Sequence, residues 1–303
     1  MRALAILMAA SLLAQQVEEP RPAAKPVLSY TGKPLAVPVT CSEQDIESFG
    51  LTCTPDSPCE VYLELSAVEA LGNKLFLSGN LHTSSATLWS ILLTSDDTGK
   101  TWTEAHERIR SAGIEQIQFV DFENGWIGGQ TLVALPRNPF MLRTTDGGKT
   151  WRQIAVSSEP RVGAIEQFSF ENKNNGALLL DRTQSGESGG RHEYYETNTG
   201  GDSWMLREIS PQPLKLKRPR VPNAAWRLRA DGPTKSFRVE RRTGAKWETV
   251  AAFLIHAGEC RPAELKFIEP PPEEETKPVT QDAVTELAPY GRRPPPTLKK
   301  KKK

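Results

Sequence analysis

Cysteine, histidine and methionine are scarce in this 303-residue chain, with four of each. No Cys-x-x-Cys occurs, and His82, His106, His192 and His256 are scattered without metal-ligand spacing. That pattern argues against the usual zinc and dithiol centres. There is also no glycine-rich phosphate loop, no nucleophile elbow and no His-Glu-x-x-His. Nothing therefore announces nucleotide, serine-hydrolase or metalloprotease chemistry, and neither a cofactor nor a metal is expected. A charge excess is lacking too. The 38 Lys and Arg balance 37 Asp and Glu, so composition gives no ground for a specific nucleic-acid partner. The apolar run in the first residues is too short to span a bilayer, and no other segment is long and apolar enough for a transmembrane segment.

The chain opens MRALAILMAASLLAQQ. Arg2 gives a positive start, Ala3 to Leu13 is apolar but short, and Ala14 is small and followed by polar residues. This is the layout of a secretory signal peptide, here residues 1–14, and predicts an exported protein, periplasmic or extracellular. Residues 15–40, rich in Pro, Ala and Lys, read as a linker. From residue 269 the chain runs EPPPEEETKPVTQDAVTELAPYGRRPPPTLKKKKK. Such a segment buries too little apolar surface to offset chain entropy, so 269–303 is expected to be disordered. The folded part is then 41–268. Cys41, Cys53, Cys59 and Cys260 are an even set in an exported chain and are disulfide candidates. Three pairings are open. If all four pair, at least one bond links the two ends of the folded part.

A repeat dominates the interior. Ser95, Asp97, Gly99, Thr101 and Trp102 give S-x-D-x-G-x-T-W, and Thr144, Asp146, Gly148, Thr150 and Trp151 give T-x-D-x-G-x-T-W. Thr197, Gly201, Ser203 and Trp204 keep the frame with Thr199 in place of Asp. Only Gly244 and Trp247 survive in a fourth copy. The four tryptophans are 49, 53 and 43 residues apart. A second register agrees. Ile114-Glu-Gln-Ile117-Gln-Phe119 precedes Asn124-Gly125, and Ile165-Glu-Gln-Phe168-Ser-Phe170 precedes Asn175-Gly176 at the same offsets. Apolar–polar alternation marks a strand and Asn-Gly a hairpin turn. In the second unit the strands are about 114–120, 125–129, 140–144 and 150–155. The motif is the hairpin between the third and fourth strands. Its hydroxyl and carboxylate can bond turn amides, its Gly permits a positive φ, and its Trp can pack beneath the turn. Leu265-Lys-Phe267 looks like one further strand.

These motifs resemble the Asp-box, or BNR, repeats of sialidases, sortilin-type receptors and the photosystem II assembly-factor family. The Ile114 to Trp126 arrangement is most similar to the last. The resemblance covers roughly residues 60–268 and implies an all-β, Asp-box β-propeller-like fold of about four recognisable four-stranded blades plus a trailing strand, or five blades. It also implies that the Asp-box residues are structural. It says little about function.

A sialidase would need an arginine triad and a Tyr–Glu pair in one pocket. The only suggestive run, Arg191-His192-Glu193-Tyr194-Tyr195-Glu196, reads more simply as an outer strand with alternating faces. No catalytic residue is assigned, and the chain is expected not to be an enzyme. The strand map offers a binding surface instead. Loops at about 80–87, 105–113, 130–139, 156–163, 181–191 and 210–223 should share the face opposite the boxes. They hold Arg108, Arg110, Arg137, Arg161, Arg182, Arg191, Lys217, Arg218 and Arg220. A basic face of this kind fits an unknown protein or anionic polymer. The alternatives are a solvated basic surface, or a carbohydrate-active, sialidase-like hydrolase. Lys299 to Lys303 read as a solvated tail.

Overall fold

The computed structural model describes residues 26–186, 191–217 and 224–263. The expected signal peptide, the linker up to residue 25, Leu265 to Phe267, the tail 269–303, Arg218 and Arg220 lie outside the described residues.

The described chain is almost entirely strand. In order it forms β1 (Leu28–Ser29), a short helix α1 (Glu43–Ser48), β2 (Cys59–Leu71), β3 (Lys74–His82), β4 (Thr87–Ser95) and β5 (Thr101–Glu104). There follow β6 (Ala112–Phe119), β7 (Gly125–Val133), β8 (Leu135–Thr144) and β9 (Arg152–Ala155). Then come β10 (Ala164–Phe170), β11 (Gly176–Asp181), β12 (His192–Thr197) and β13 (Met205–Ser210). The last are β14 (Trp226–Asp231), β15 (Ser236–Thr243), β16 (Lys246–Leu254) and β17 (His256–Cys260). Four antiparallel sheets result. Three are four-stranded meanders in chain order: β2–β5, β6–β9 and β10–β13. The fourth holds β14–β16. β1 and β17 extend the first sheet at its two edges, so its order is β1-β5-β4-β3-β2-β17. This is a β-propeller-like, all-β architecture.

The packing order of the sheets is fourth, first, second, third. One apolar cluster joins Val239, Ala251 and Phe253 of the fourth sheet to Leu63, Leu77 and Trp102 of the first. A second joins Phe76 and Leu92 to Ile117, Ile127 and Phe140. A third joins Trp126 and Met141 to Phe168, Phe170 and Leu178. Among the described residues no cluster joins the third sheet to the fourth. β4, buried on both faces, is apolar at successive positions through Leu88, Trp89, Ile91, Leu92 and Leu93, whereas β2 alternates Val61, Leu63 and Leu65 (buried) with Glu60, Glu64 and Ser66.

The repeated hairpins are built alike. Ser95 Oγ accepts the Gly99 amide at 2.8 Å, Thr144 Oγ1 the Gly148 amide at 2.9 Å, and Thr197 Oγ1 the Gly201 amide at 3.0 Å. Asp97 accepts the Thr101 amide at 2.8 Å and the Thr101 hydroxyl at 2.7 Å; Asp146 does the same with Thr150 at 3.0 and 2.6 Å. In the third copy the Thr199 hydroxyl accepts the Ser203 amide at 2.9 Å. Gly148, at φ +77°, could carry no side chain, because a Cβ would lie 2.4 Å from the Phe76 ring. The fourth copy differs. Gly244 sits at a tight β15–β16 turn, and Trp247 lies beneath the Arg227 guanidinium at 4.1 Å.

Residues 26–40, expected to be a linker, pack on the domain instead. β1 pairs with β5, the Leu35 amide donates to Ala252 O at 2.8 Å, and Val37 is buried. The apolar residues interspersed with the prolines explain the difference. Cys41 bonds Cys260 across 219 residues, and Cys53 bonds Cys59 across 6. The strand that ties the two ends together is β17, which pairs with β2 through Cys260↔Cys59 and His256↔Tyr62.

Two outcomes are expected. Burial raises the Asp97 carboxyl, but hydrogen bonds from Thr101, Ser95 and Lys100 outweigh it and hold it at about 2, against 3.8; Asp146 is likewise held at about 2. A depressed carboxyl contributes stability that is complete above the unfolded value and lost as pH falls towards the folded one. Asp97→Ala and Asp146→Ala should each lower the melting temperature at pH 6, by about 1 kcal/mol per net turn bond lost. That gap to wild type should narrow between pH 4 and pH 2; thermal unfolding across this range checks it. Secondly, in the chain-entropy picture the long cross-link is worth about 5 kcal/mol and the short one about 2. Removing Cys41 and Cys260 together should therefore destabilise more than removing Cys53 and Cys59 together, as read by denaturant unfolding.

Candidate functional site

The arginines singled out in the sequence are mostly occupied. Arg108 pairs with Glu104 at 2.6 Å and donates to Pro38 O at 2.8 Å. Arg110 pairs with Asp45 of α1 at 2.6 Å and stacks on Phe49. Lys217 reaches Glu196 at 3.3 Å and covers the Tyr194 ring. Arg161, Arg182 and Arg191 are brought together, at 3.0, 2.8 and 3.5 Å from one carboxylate, Glu193, which is fully buried. Tyr195 donates to the same carboxylate at 2.7 Å. Burial raises the Glu193 carboxyl, but Tyr195 and the guanidiniums outweigh it and leave it lowered. Burial, then the Glu193 charge, pushes the Tyr195 phenol up to about 12. Arg137 stands apart on the exposed end of β8. The loop face thus carries many cations but few without an internal anion.

On this same face a groove of about 400 Å³ opens between loop 83–86, which joins β3 to β4, and the β7–β8 turn. Glu64 of β2 and Glu115 of β6 share it with Asn80, His82, Thr83, Ser85, Leu132 and Pro136. The two carboxylates come from the first strands of neighbouring sheets. Each is held by a side-chain amide: Asn80 Nδ2 donates to Glu64 at 3.2 Å, and Gln130 Nε2 to Glu115 at 2.8 Å. Glu115 sits at a β-bulge between Ile114 and Gln116, and Glu166 occupies the matching bulge in β10. A bulge frees one residue from the ladder and re-aims its side chain. Glu115 is exposed to solvent in the wall of the groove. Desolvation raises its pKa, the Gln130 bond opposes this, and the Glu64 charge raises it further.

Sequence reasoning did not single out Glu64, Asn80, Glu115 or Gln130. The one available signal was the shared Ile-Glu-Gln of Ile114 and Ile165, where a polar residue in a first strand recurs as an acid. Glu64 carries no such mark, because the first unit lacks the pattern. Among the described residues no group of three or more His, Cys, Asp or Glu is placed to hold a metal ion, and no helix is long and apolar enough to cross a membrane.

A family model described as "Sortilin, neurotensin receptor 3" matches residues 90–215, so this stretch is similar to a β-propeller family. Curated proteins give no match. Solved structures with similar folds include YCF48 bound to D1 peptide, at 18% identity over 63% of this chain and 53% of that one, TM-score 0.33. The xyloglucanase of family GH74 from Xanthomonas campestris matches at 14% identity over 44% of this chain and 18% of its own, TM-score 0.33. An α-L-arabinanase from Penicillium chrysogenum, complexed with arabinobiose, matches at 13% over 63% and 65%, TM-score 0.33. The chain spans less than two thirds of each of these proteins. An α-L-arabinofuranosidase and a polysaccharide lyase are also among the matches. The expectation that the chain is not an enzyme is withdrawn, because glycoside hydrolases and a polysaccharide lyase stand among the matches.

Proposed function

We propose that this exported chain is carbohydrate-active, with a glycan lying in the groove and Glu64 and Glu115 as its working groups. One observation carries the reading. Glu104, Glu193, Glu196, Glu240, Asp45, Asp202 and Asp231 each face an arginine or lysine, whereas Glu64 and Glu115 are held only by neutral amides. Two such carboxylates in one groove accept hydrogen bonds from ligand donors, and sugar hydroxyls supply them. The flanking Thr83, Ser84, Ser85 and Thr87 add donors and acceptors of the same kind. Glycoside hydrolysis requires one carboxyl that keeps its proton and a second that is ionised. The raised Glu115 is suited to protonate the leaving oxygen, and Glu64 is placed to serve as the second carboxyl. Export is supported by the N-terminal pattern and by two disulfides. The Asp-box hairpins are structural in this reading, and the arginines around Glu193 position the third sheet.

The test is a panel of soluble plant, fungal and bacterial polysaccharides, read by release of reducing ends. Wild type should cleave at least one. Glu115→Gln should lower the rate by about 10²- to 10⁴-fold and leave binding of the same polymer within a few-fold. A wild type that neither binds nor cleaves any of them would overturn the proposal. Stability gives an independent check. A carboxyl raised in the folded state resists ionisation, so wild type loses stability as pH rises from the unfolded value, 4.5, through the folded one. Glu115→Gln should melt above wild type at pH 7 and lose that advantage below about pH 4.5.

A further inference from the structure

The first sheet is taller than its neighbours. β2 has six residues ahead of its bulge at Leu65, Cys59 to Glu64, where β6 has two ahead of Ile114. The extra height carries β17 and both disulfide ends, which explains its inner face: Val61 and Leu63 are buried there. It does not explain the outer face. His256 of β17 pairs with Tyr62 of β2, and Tyr62 with His82 of β3. Cross-strand partners share a face, so three rings form one row. The Tyr62 centroid lies 5.9 Å from that of His82 and 6.0 Å from that of His256. His82 Nδ1 donates to Thr83 O at 2.9 Å, which fixes the ring.

The rows on either side are polar. Towards the groove stand Glu64 and Asn80, bonded to each other. Away from it stand Glu60 and Glu259, Glu60 accepting the Tyr62 hydroxyl and Glu259 pairing with Arg261 at 2.9 Å. His82 lines the groove itself, so ring row and groove are continuous. Glu64 and Tyr62 are two residues apart on one strand, about 7 Å. The His82 ring is tilted by 36° from the Tyr62 ring and the His256 ring stands edge-on to it at 74°, so the stacking face is that of Tyr62; one aromatic ring bordered by acceptors suits a ligand whose faces are apolar and whose edges donate hydrogen bonds.

We infer that the Tyr62–His82–His256 row is an outer subsite, on which the sugar ring next to the carboxylate pair stacks against Tyr62. The ligand is then a linear neutral oligosaccharide that runs up the first sheet, and chain length governs affinity. This rests on the glycan reading of the groove. Calorimetry on the full mature chain, with cellobiose and cellohexaose, xylobiose and xylohexaose, chitobiose and chitohexaose, tests it. A hexasaccharide should bind at least tenfold more tightly than its disaccharide. Tyr62→Leu, which keeps bulk but removes the ring, should erase that preference while leaving disaccharide affinity unchanged. Tyr62→Phe, which loses only the bond to Glu60, should keep it. Equal hexasaccharide affinity in wild type and Tyr62→Leu would overturn the subsite and leave the groove reading standing. No binding of any of the six sugars by wild type would overturn the subsite together with the groove.

Discussion

Everything in this fold hangs on how each sheet seats the hairpin of the next. The seat is aromatic. Phe76 of the first sheet stacks on Phe119 at 5.0 Å and meets Trp151 edge-on at 5.9 Å; Trp126 of the second stacks on Phe170 at 3.8 Å, and Phe170 meets Trp204 edge-on. Between fourth and first sheets Phe253 meets Trp102 at 5.3 Å. Offset and edge-on pairs of this size add to the burial of their area. They need close approach, and the hairpin glycines provide it. Trp126 also donates to Gly200 O at 2.9 Å, and Arg143 reaches Asp202 at 3.1 Å, so the hairpin is gripped as well as packed.

The same seat says where the run of sheets stops. By register, Phe76 and Trp126 correspond to Ala177 in the third sheet, each following the residue paired with the first hairpin hydroxyl. An alanine cannot receive a tryptophan hairpin. Leu214 and Leu216 cover Ala177, Leu179 and Tyr194 instead, and Lys217 lies over the Tyr194 ring. At the other end the outer face of the fourth sheet is closed by ion pairs, Arg227 with Glu240 at 2.5 Å and Arg238 with Asp231 at 2.7 Å. Stacked units require polar or covered end faces of this kind.

The repeat and the hairpins were legible in the sequence because their chemistry is local: hydroxyl, carboxylate, glycine and tryptophan lie within eight residues. The strand pattern of the second and third units was legible for the same reason. What escaped was non-local. Arg110 finds Asp45 across 65 residues, and Arg161 finds Glu193 across 32. A list of loop cations therefore overstates the charge a partner would meet. Glu193 reads in the sequence as an ordinary strand residue, since alternation gives no hint that three guanidiniums converge on it. Residues 26–40 looked like a linker because proline content masks Leu28, Leu35 and Val37, each of which finds a place on the domain.

The site escaped for a geometric reason. Glu64 and Glu115 belong to different units, and only the packing of the first sheet against the second brings their strands together. Neither takes part in the aromatic seat, and neither is neutralised by it. The two requirements are separable along each strand: the hairpin end is committed to holding the next sheet, whereas the opposite end is free of that duty. A β-bulge between the two ends, at Ile114/Gln116 and again at Ile165/Gln167, decouples them further. Substitution at the loop end can thus change what is bound without disturbing how the sheets are stacked. The first sheet extends this freedom most, because its extra residues serve the disulfide latch on one face and leave the other face clear. A fold that seats its sheets at one end has its chemistry available at the other, and Glu64 and Glu115, each held by a neutral amide, stand there.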